Sequence, residues 1–332
     1  MKRILLIRFS SIGDIVLTSS TITLLKKENP TAEIHYLCKA SFSELVQYNP
    51  AISEVHAWTK EKADEILKTL QSLHFDYVID LQNNLRSALI RFRLARPSAV
   101  LDKENWKKWK MVHFHNRTID IPHIVHRYED TLAILGIKSQ YNTPLSFHFP
   151  KTIDRELQTY LAEQNISLTH SRTLAVVLGA QHATKKWILS SLAEALNTLG
   201  MPVLLLGGKN ETEEASTLLT LLKVPCVNVV GKSSLLLSAA LMQKCSAVLA
   251  YDTGFMHIAA ALGKSIFSIW GGTVPELGFA PYTKDALILE NNEAKCRPCD
   301  KIGKNTCPKG HFACMKELSA KQVVEEIRKN WG

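Results

Sequence analysis

The stretch Tyr251-Asp252-Thr253-Gly254-Phe255-Met256-His257-Ile258-Ala259-Ala260-Ala261-Leu262-Gly263-Lys264 decides how the chain is read. The apolar run Ala247-Val248-Leu249-Ala250 before it has the length of a buried strand. After it, the Ala-rich body favours a helix, with Thr253 placed as N-cap and Gly263 where a C′ residue belongs. Asp252 and Thr253 then stand at a strand end facing a helix N-terminus, whose free N–H groups and dipole attract anions. In an open parallel sheet, ligands gather at that edge. The competing reading is an ordinary β-to-α turn in which Gly254 supplies only flexibility.

The same rhythm extends in both directions. Towards the C-terminal half, apolar runs at 174–178, 202–206, 227–230, 248–251 and 266–270 read as strands. The loops after them carry Gly179, Thr184-Lys185-Lys186-Trp187 and Gly207-Gly208, with Glu213 in a following helix. In the N-terminal half, strands are expected at 4–7, 32–37, 52–55 and 77–81, with helices ending near Lys27 and spanning 60–73. Alternating strands and helices indicate an α/β protein with parallel sheets. A chain of 332 residues exceeds one typical core. Gly136, Pro144 and Pro150 interrupt the pattern, so two domains are expected, at 1–155 and 156–332.

Composition limits the function classes. With 46% hydrophobic and 21% charged residues, the chain has the balance of a well-packed soluble protein. No run approaches the ~18 apolar residues of a membrane-spanning helix. Arg8 ends the apolar run 4–7 and no small-residue cleavage site follows, so this run reads as a first strand rather than a signal peptide, and a cytoplasmic location is expected. The formal net charge is +9. Between Arg86 and Arg127, ten Lys or Arg face three acids, a balance that attracts nucleic acid, anionic membrane or phosphorylated ligands. Arg86, Arg91, Arg93 and Arg96 are expected on a helix and Trp106 to Lys110 on a following loop, while His113, His115, His123 and His126 read as scattered surface histidines.

Several motifs drop out. Gly231-Lys232-Ser233 resembles the end of a P-loop, but Cys226 occupies the place of the required earlier glycine. Neither a G-x-G-x-x-G after a strand nor a G-x-S-x-G elbow occurs, which removes the main support for a nicotinamide oxidoreductase or an α/β-hydrolase. Other residues carry two readings each. Asp14, just after Gly13, is a helix cap or a base at the rim of a cleft. The strand end Asp80-Leu81-Gln82-Asn83-Asn84 is a second polar rim. Lys185 is a solvent-facing lysine or a compact cation for a diphosphate. Glu213 is a first-turn acid or an acceptor for ribose, and His257 a satisfied helix histidine or a phosphate donor. The late cluster Cys296-x2-Cys299-x7-Cys307-x6-Cys314 is either a structural zinc site or a set of free thiols, since a reducing cytoplasm disfavours disulfides.

Taken together, 8–16, 80–82, 185–187, Gly207-Gly208 with Glu213, and 252–260 resemble the heptosyltransferases of glycosyltransferase family 9, which move heptose from ADP-heptose onto the lipopolysaccharide core. The resemblance runs in order through nearly the whole chain. It implies the GT-B fold: two Rossmann-like domains, an N-terminal acceptor domain and a C-terminal nucleotide-sugar domain, with the active site between them. It also implies a last helix, around 323–329, that packs back on the N-terminal domain. The reaction implied is inverting and independent of a catalytic metal. Asp14 would be the general base, and Lys185 would balance charge on the departing diphosphate with N–H groups at Thr253 and Gly254. Thr184, Asp252 and His257 would position phosphates and sugar, with Glu213 on the adenosine side. Gln82, Arg86 and Arg127 would bind the phosphorylated, lipid-linked acceptor, and the basic segment would hold the enzyme at the anionic cytoplasmic membrane face. The sequence departs from the family at Gly271-Gly272-Thr273, where members often have Gly-Pro-Thr, and in the cysteine segment, which only some relatives carry. Two alternatives stand beside this reading: a GT-B transferase for another nucleotide sugar or glycan acceptor, and a basic nucleic-acid-binding protein. The second lacks a stacking sheet of aromatics or a recognised binding motif.

Overall fold

The computed structural model describes residues 2–166 and 172–331. They form two compact units, one of Met1–Asn105 with Pro122–Pro150, the other of Trp106–Ile121 with Lys151–Gly332.

The first unit is built on five parallel strands: β1 (Arg3–Ile7), β2 (Glu33–Lys39), β3 (Glu54–Trp58), β4 (Tyr77–Asp80) and β5 (Ser98–Val100), in the order β3-β2-β1-β4-β5. Ile4, Leu5, Leu6 and Ile7 of the central strand are all inaccessible to solvent. A strand apolar on both faces belongs in a sheet covered on both sides by helices. The chain steps outward from β1 to β3, then returns to lay β4 on the other side of β1. Strand order therefore reverses between β1 and β4, and connections leave in opposite directions there. The result is a crevice at the carboxyl ends of these two strands.

The second unit has six parallel strands: β6 (Leu174–Val177), β7 (Val203–Leu206), β8 (Cys226–Asn228), β9 (Ala247–Tyr251), β10 (Ser265–Trp270) and β11 (Ala286–Glu290), in the order β11-β10-β9-β6-β7-β8. Here the reversal falls between β6 and β9, which places Thr184-Lys185 and Asp252-Thr253 on the two sides of one crevice. Both sheets are doubly wound, as the alternation of elements implied.

Two expectations need correction. Trp106 to Lys110 is not a loop but part of the helix Asn105–Phe114. Its run of Trp, Lys, Met and His contains no helix breaker, and only Lys108 and Met111 are buried, so little apolar periodicity was visible. Met111 packs with Ile121, Val274 and Leu277, so 106–121 belongs to the second unit rather than to an N-terminal domain of 1–155. The helix Ala320–Asn330 has its apolar face, Val323, Val324 and Ile327, inside the core of the second unit and packs on the helix Leu189–Leu199.

Candidate functional site

At the first crevice, the loop after β1 leads into the short helix Ile12–Leu17, with Ser11 as N-cap and Asp14 three residues on. Asp14 Oδ2 accepts from the Ser11 amide at 3.1 Å and the Ser11 hydroxyl at 3.0 Å, closing a capping box. Oδ1 faces a different environment. It pairs with Arg8 Nη2 at 2.7 Å and accepts from the Tyr128 hydroxyl at 3.4 Å. The two oxygens of one carboxylate thus have different partners, the cap for Oδ2 and Arg8 with Tyr128 for Oδ1. Arg8 is held in place by donating to the Leu81 carbonyl at 2.6 Å and the Ser10 carbonyl at 2.8 Å. Burial pushes the Asp14 carboxyl up, but the Arg8 guanidinium and the Ser11 hydrogen bonds outweigh it and hold it below the usual aspartate range. Arg8 and Tyr128 were not anticipated as site residues. The available signal was a charged residue directly after a buried strand.

Around this carboxylate, the structure separates the three residues expected to meet an acceptor. Gln82 Oε1 accepts from the Phe9 amide at 2.8 Å, so it ties the loop after β4 to the loop after β1. Arg86, exposed at the start of the helix Leu85–Leu94, lies over the Phe9 ring at 5.2 Å. With Ser10, Lys39 and Asn84 it lines a depression of about 500 Å³. Arg127 is buried; its Nε donates to the Pro122 carbonyl at 3.0 Å and its Nη1 to the Asp102 carbonyl at 3.3 Å, while Nη2 has no hydrogen-bond partner. Burial lowers its pKa, against the opposing pull of Tyr128, Glu104, Asp102 and Asp14.

The second crevice has the opposite polarity. Lys185, in a short 3-10 turn after β6, places Nζ 2.7 Å from Asp252 Oδ2 and 3.2 Å from the Asp252 carbonyl. Thr273 Oγ1 donates to the same Oδ2 at 2.8 Å. Thr253 is the N-cap of the helix Gly254–Ala261, yet its side chain makes no capping bond and its buried Oγ1 has no partner. His257 is buried one turn into that helix.

Thr184 and Glu213 occupy other positions than their motif readings suggested. The buried Thr184 hydroxyl donates to the Lys304 carbonyl at 2.9 Å and accepts from the Lys304 amide at 2.8 Å, so it anchors a loop. Glu213 is exposed on the helix Thr212–Leu221. The acid facing the glycine loops is Glu211, whose Oε2 accepts from the Gly208 amide at 2.9 Å and lies 3.7 Å from the site of a Cβ on Gly179. A glutamate three residues after a capping glycine was the overlooked signal.

The departure at Gly271-Gly272-Thr273 has a local cause. The Gly272 amide donates to the Thr184 carbonyl at 2.8 Å, a bond proline cannot make. A Cβ on Gly271 would overlap Met315 and the Thr184 carbonyl. The cysteine segment braces the same loop. Buried Arg297 donates to the carbonyls of Gly271 at 2.5 Å and Thr273 at 3.0 Å and pairs with Glu290 at 2.7 Å. Glu290 also pairs with Arg117 at 2.6 Å, and the Cys299 amide donates to the Gly272 carbonyl at 2.8 Å.

Cys296, Cys299, Cys307 and Cys314 are free thiols. Burial and the neighbouring cysteines push Cys299 up to about 12, and burial raises Cys314 to about 11. Among the described residues, the group of three or more ligand-type side chains with ligand atoms within 4.8 Å of one another is His35, Glu54 and His56, not these sulfurs. Bonds of about 2.3 Å from zinc to four thiolates require sulfurs about 3.8 Å apart. Among the described residues, no three of these sulfurs and their ligand-type neighbours lie mutually within 4.8 Å, although Cys296, Cys307 and Cys314 are all close enough to raise Cys299.

Two doubly wound parallel units in one chain are the architecture of the GT-B fold. The chain belongs to glycosyltransferase family 9 (heptosyltransferase), whose family model matches residues 64–309. It is 26% identical to lipooligosaccharide heptosyltransferase 2 of Haemophilus ducreyi, over 98% of each chain. It is 27% identical to lipopolysaccharide heptosyltransferase 1 of Pseudomonas aeruginosa, over 90% of this chain and 86% of the relative. Among solved structures, E. coli heptosyltransferase WaaC with ADP superposes with a TM-score of 0.71 at 21% identity, covering 99% of both chains.

Proposed function

We propose that the protein transfers heptose from ADP-heptose to the inner core of lipopolysaccharide, with inversion at the anomeric carbon and without a catalytic metal. The observation that carries the mechanism is Asp14, ionised by Arg8 and fixed by Ser11 at the first crevice. The acceptor hydroxyl oxygen bonds to the anomeric carbon as the carbon–oxygen bond to the diphosphate breaks. Asp14 Oδ1 takes the hydroxyl proton, and ADP leaves with the bonding pair. A carboxylate of lowered basicity removes a proton late, from an oxygen already made acidic by bond formation. The leaving diphosphate is met by Lys185, which exchanges Asp252 for phosphate oxygens, by the unpartnered Thr253 hydroxyl and by amides at the helix start. Fixed positive charge of this kind supplies what a metal ion would otherwise supply. Glu211, rather than Glu213, takes the ribose hydroxyls, because its carboxylate is the one beside the glycine loops.

On the acceptor side, Arg127 Nη2 and Arg86 are the groups suited to a phosphate or carboxylate. Gln82 keeps the loop of Asp14 in register. The exposed Arg86, Arg93, Arg96 and Lys110 of the basic segment draw the enzyme to the anionic inner face of the cytoplasmic membrane, and no described helix is long and apolar enough to span a bilayer. The matched relatives carry both heptosyltransferase 1 and 2 names at nearly equal identity. The first and second heptose additions are therefore equally supported. Calorimetry with ADP-heptose, UDP- and GDP-sugars tests the donor. Saturable binding of ADP-heptose alone is expected, and a preference for a UDP- or GDP-sugar would overturn the assignment.

A further inference from the structure

We propose that His35, Glu54 and His56 form a site for a divalent transition-metal ion at the edge of the first sheet, apart from the crevice chemistry. The strand register assembles it. β2 and β3 pair in parallel with His35 opposite Glu54, and His56 follows Glu54 by two residues. Side chains two apart on a strand share a face, so all three project to the same side of the sheet. The carboxyl ends of the strands hold Asp14 and Gln82, whereas His35 and Glu54 lie near the amino ends of theirs.

The donor atoms already converge. His35 Nδ1 is 3.0 Å from His56 Nε2 and 3.5 Å from Glu54 Oε2, and all three ligand atoms lie within 4.8 Å of one another. Tetrahedral coordination with bonds of about 2.0–2.1 Å spaces its ligands about 3.3–3.4 Å apart. His56 turns Nδ1 toward Glu54 Oε1 at 3.8 Å, so an ion would replace the bond between the imidazoles with a turn of the His56 ring. Both rings are buried, and Phe75 packs edge-on against His35 at 5.1 Å, which fixes the ring orientation. Glu54 is 51% exposed on the edge strand and gives the ion an entry path and a solvent-filled fourth position.

Two imidazole nitrogens and one carboxylate suit zinc, cobalt or nickel, whereas magnesium and calcium take oxygen ligands. The ion would staple the edge strand β3 to β2.

Titration of the full-length protein with Co2+, followed by its visible spectrum and by thermal unfolding, tests the site. One equivalent is expected to give visible d–d bands without near-ultraviolet thiolate charge transfer, and to raise the unfolding midpoint by several degrees. His56→Gln should bind one equivalent fewer. Glu54→Gln, an isosteric change on an exposed side chain that leaves the fold intact, should weaken binding by tenfold or more. The proposal fails if no saturable binding occurs at micromolar Co2+. It also fails if all bound metal shows thiolate charge transfer and the same stoichiometry in His56→Gln and Glu54→Gln.

Discussion

The two crevices of this chain use one device with opposite sign. In the first, an acid is held ionised by a cation, Asp14 by Arg8; in the second, a cation is held by an acid, Lys185 by Asp252. The two pairs have the same separation, 2.7 Å, and both are largely shielded, with side chains 9–18% exposed. They differ in what else holds the partner. Arg8 is committed to two backbone carbonyls, so its contact with Asp14 is permanent. Lys185 has contacts only with Asp252, and its ammonium can rotate to another anion. On the proposed function, the fixed pair at the first crevice would serve proton transfer, and the looser pair at the second would exchange a carboxylate for a phosphate. Fixed charge suits the group that does chemistry, and an exchangeable charge suits the group that binds and releases.

Breaking the first pair should have the largest effect. Asp14→Asn keeps the size of the side chain but removes the proton acceptor, and kcat is expected to fall by about 10³. Retained turnover within tenfold of wild type in a steady-state assay would leave Asp14 as a helix cap only. The brace of the second crevice comes next. Arg297→Met strands Glu290 with only Arg117 as counter-charge and should cost about 3 kcal/mol in urea denaturation. Lys185→Met should lower kcat by about 10² with a raised donor KM, since it removes charge from the leaving diphosphate. A smaller contrast separates two glutamates: Glu211→Gln should raise donor KM about tenfold by weakening a charged hydrogen bond, while Glu213→Gln leaves it within a factor of two.

A pH series sharpens the comparison further. The folded pKa of Asp14 lies below its unfolded value, so the Arg8–Asp14 contribution to stability is complete above about pH 4 and is lost as pH falls through the folded pKa. The stability difference between wild type and Asp14→Asn should therefore shrink on acidification. A constant difference from pH 7 to pH 3 would mean that the pair does not hold the carboxylate ionised.

Much of this was legible before the fold was known. Apolar runs such as 4–7 and 247–251 are buried on both faces, so their strands announce themselves. β5 was missed because Ser98–Val100, with an exposed Val100, carries no continuous apolar run, whereas β11 has one in Ala286-Leu287-Ile288-Leu289 that was overlooked. Asp14, Lys185 and Asp252 were legible because strand-to-helix loops at a switch point are where charge is useful. Tyr128 lies 114 residues from Asp14 in sequence, and no local pattern connects them. Glu211 and Glu213 differ by two positions, and only the fold decides which carboxylate turns toward Gly208. Thr184 belongs to a motif, yet its hydroxyl is consumed by Lys304.

The division of labour between the crevices is tested most directly by calorimetric titration of ADP-heptose into two variants with verified folds, Asp14→Asn and Lys185→Met. Asp14→Asn is expected to bind the donor with wild-type affinity, and Lys185→Met at least tenfold more weakly. Loss of donor affinity in Asp14→Asn, or wild-type affinity in Lys185→Met, would contradict the account.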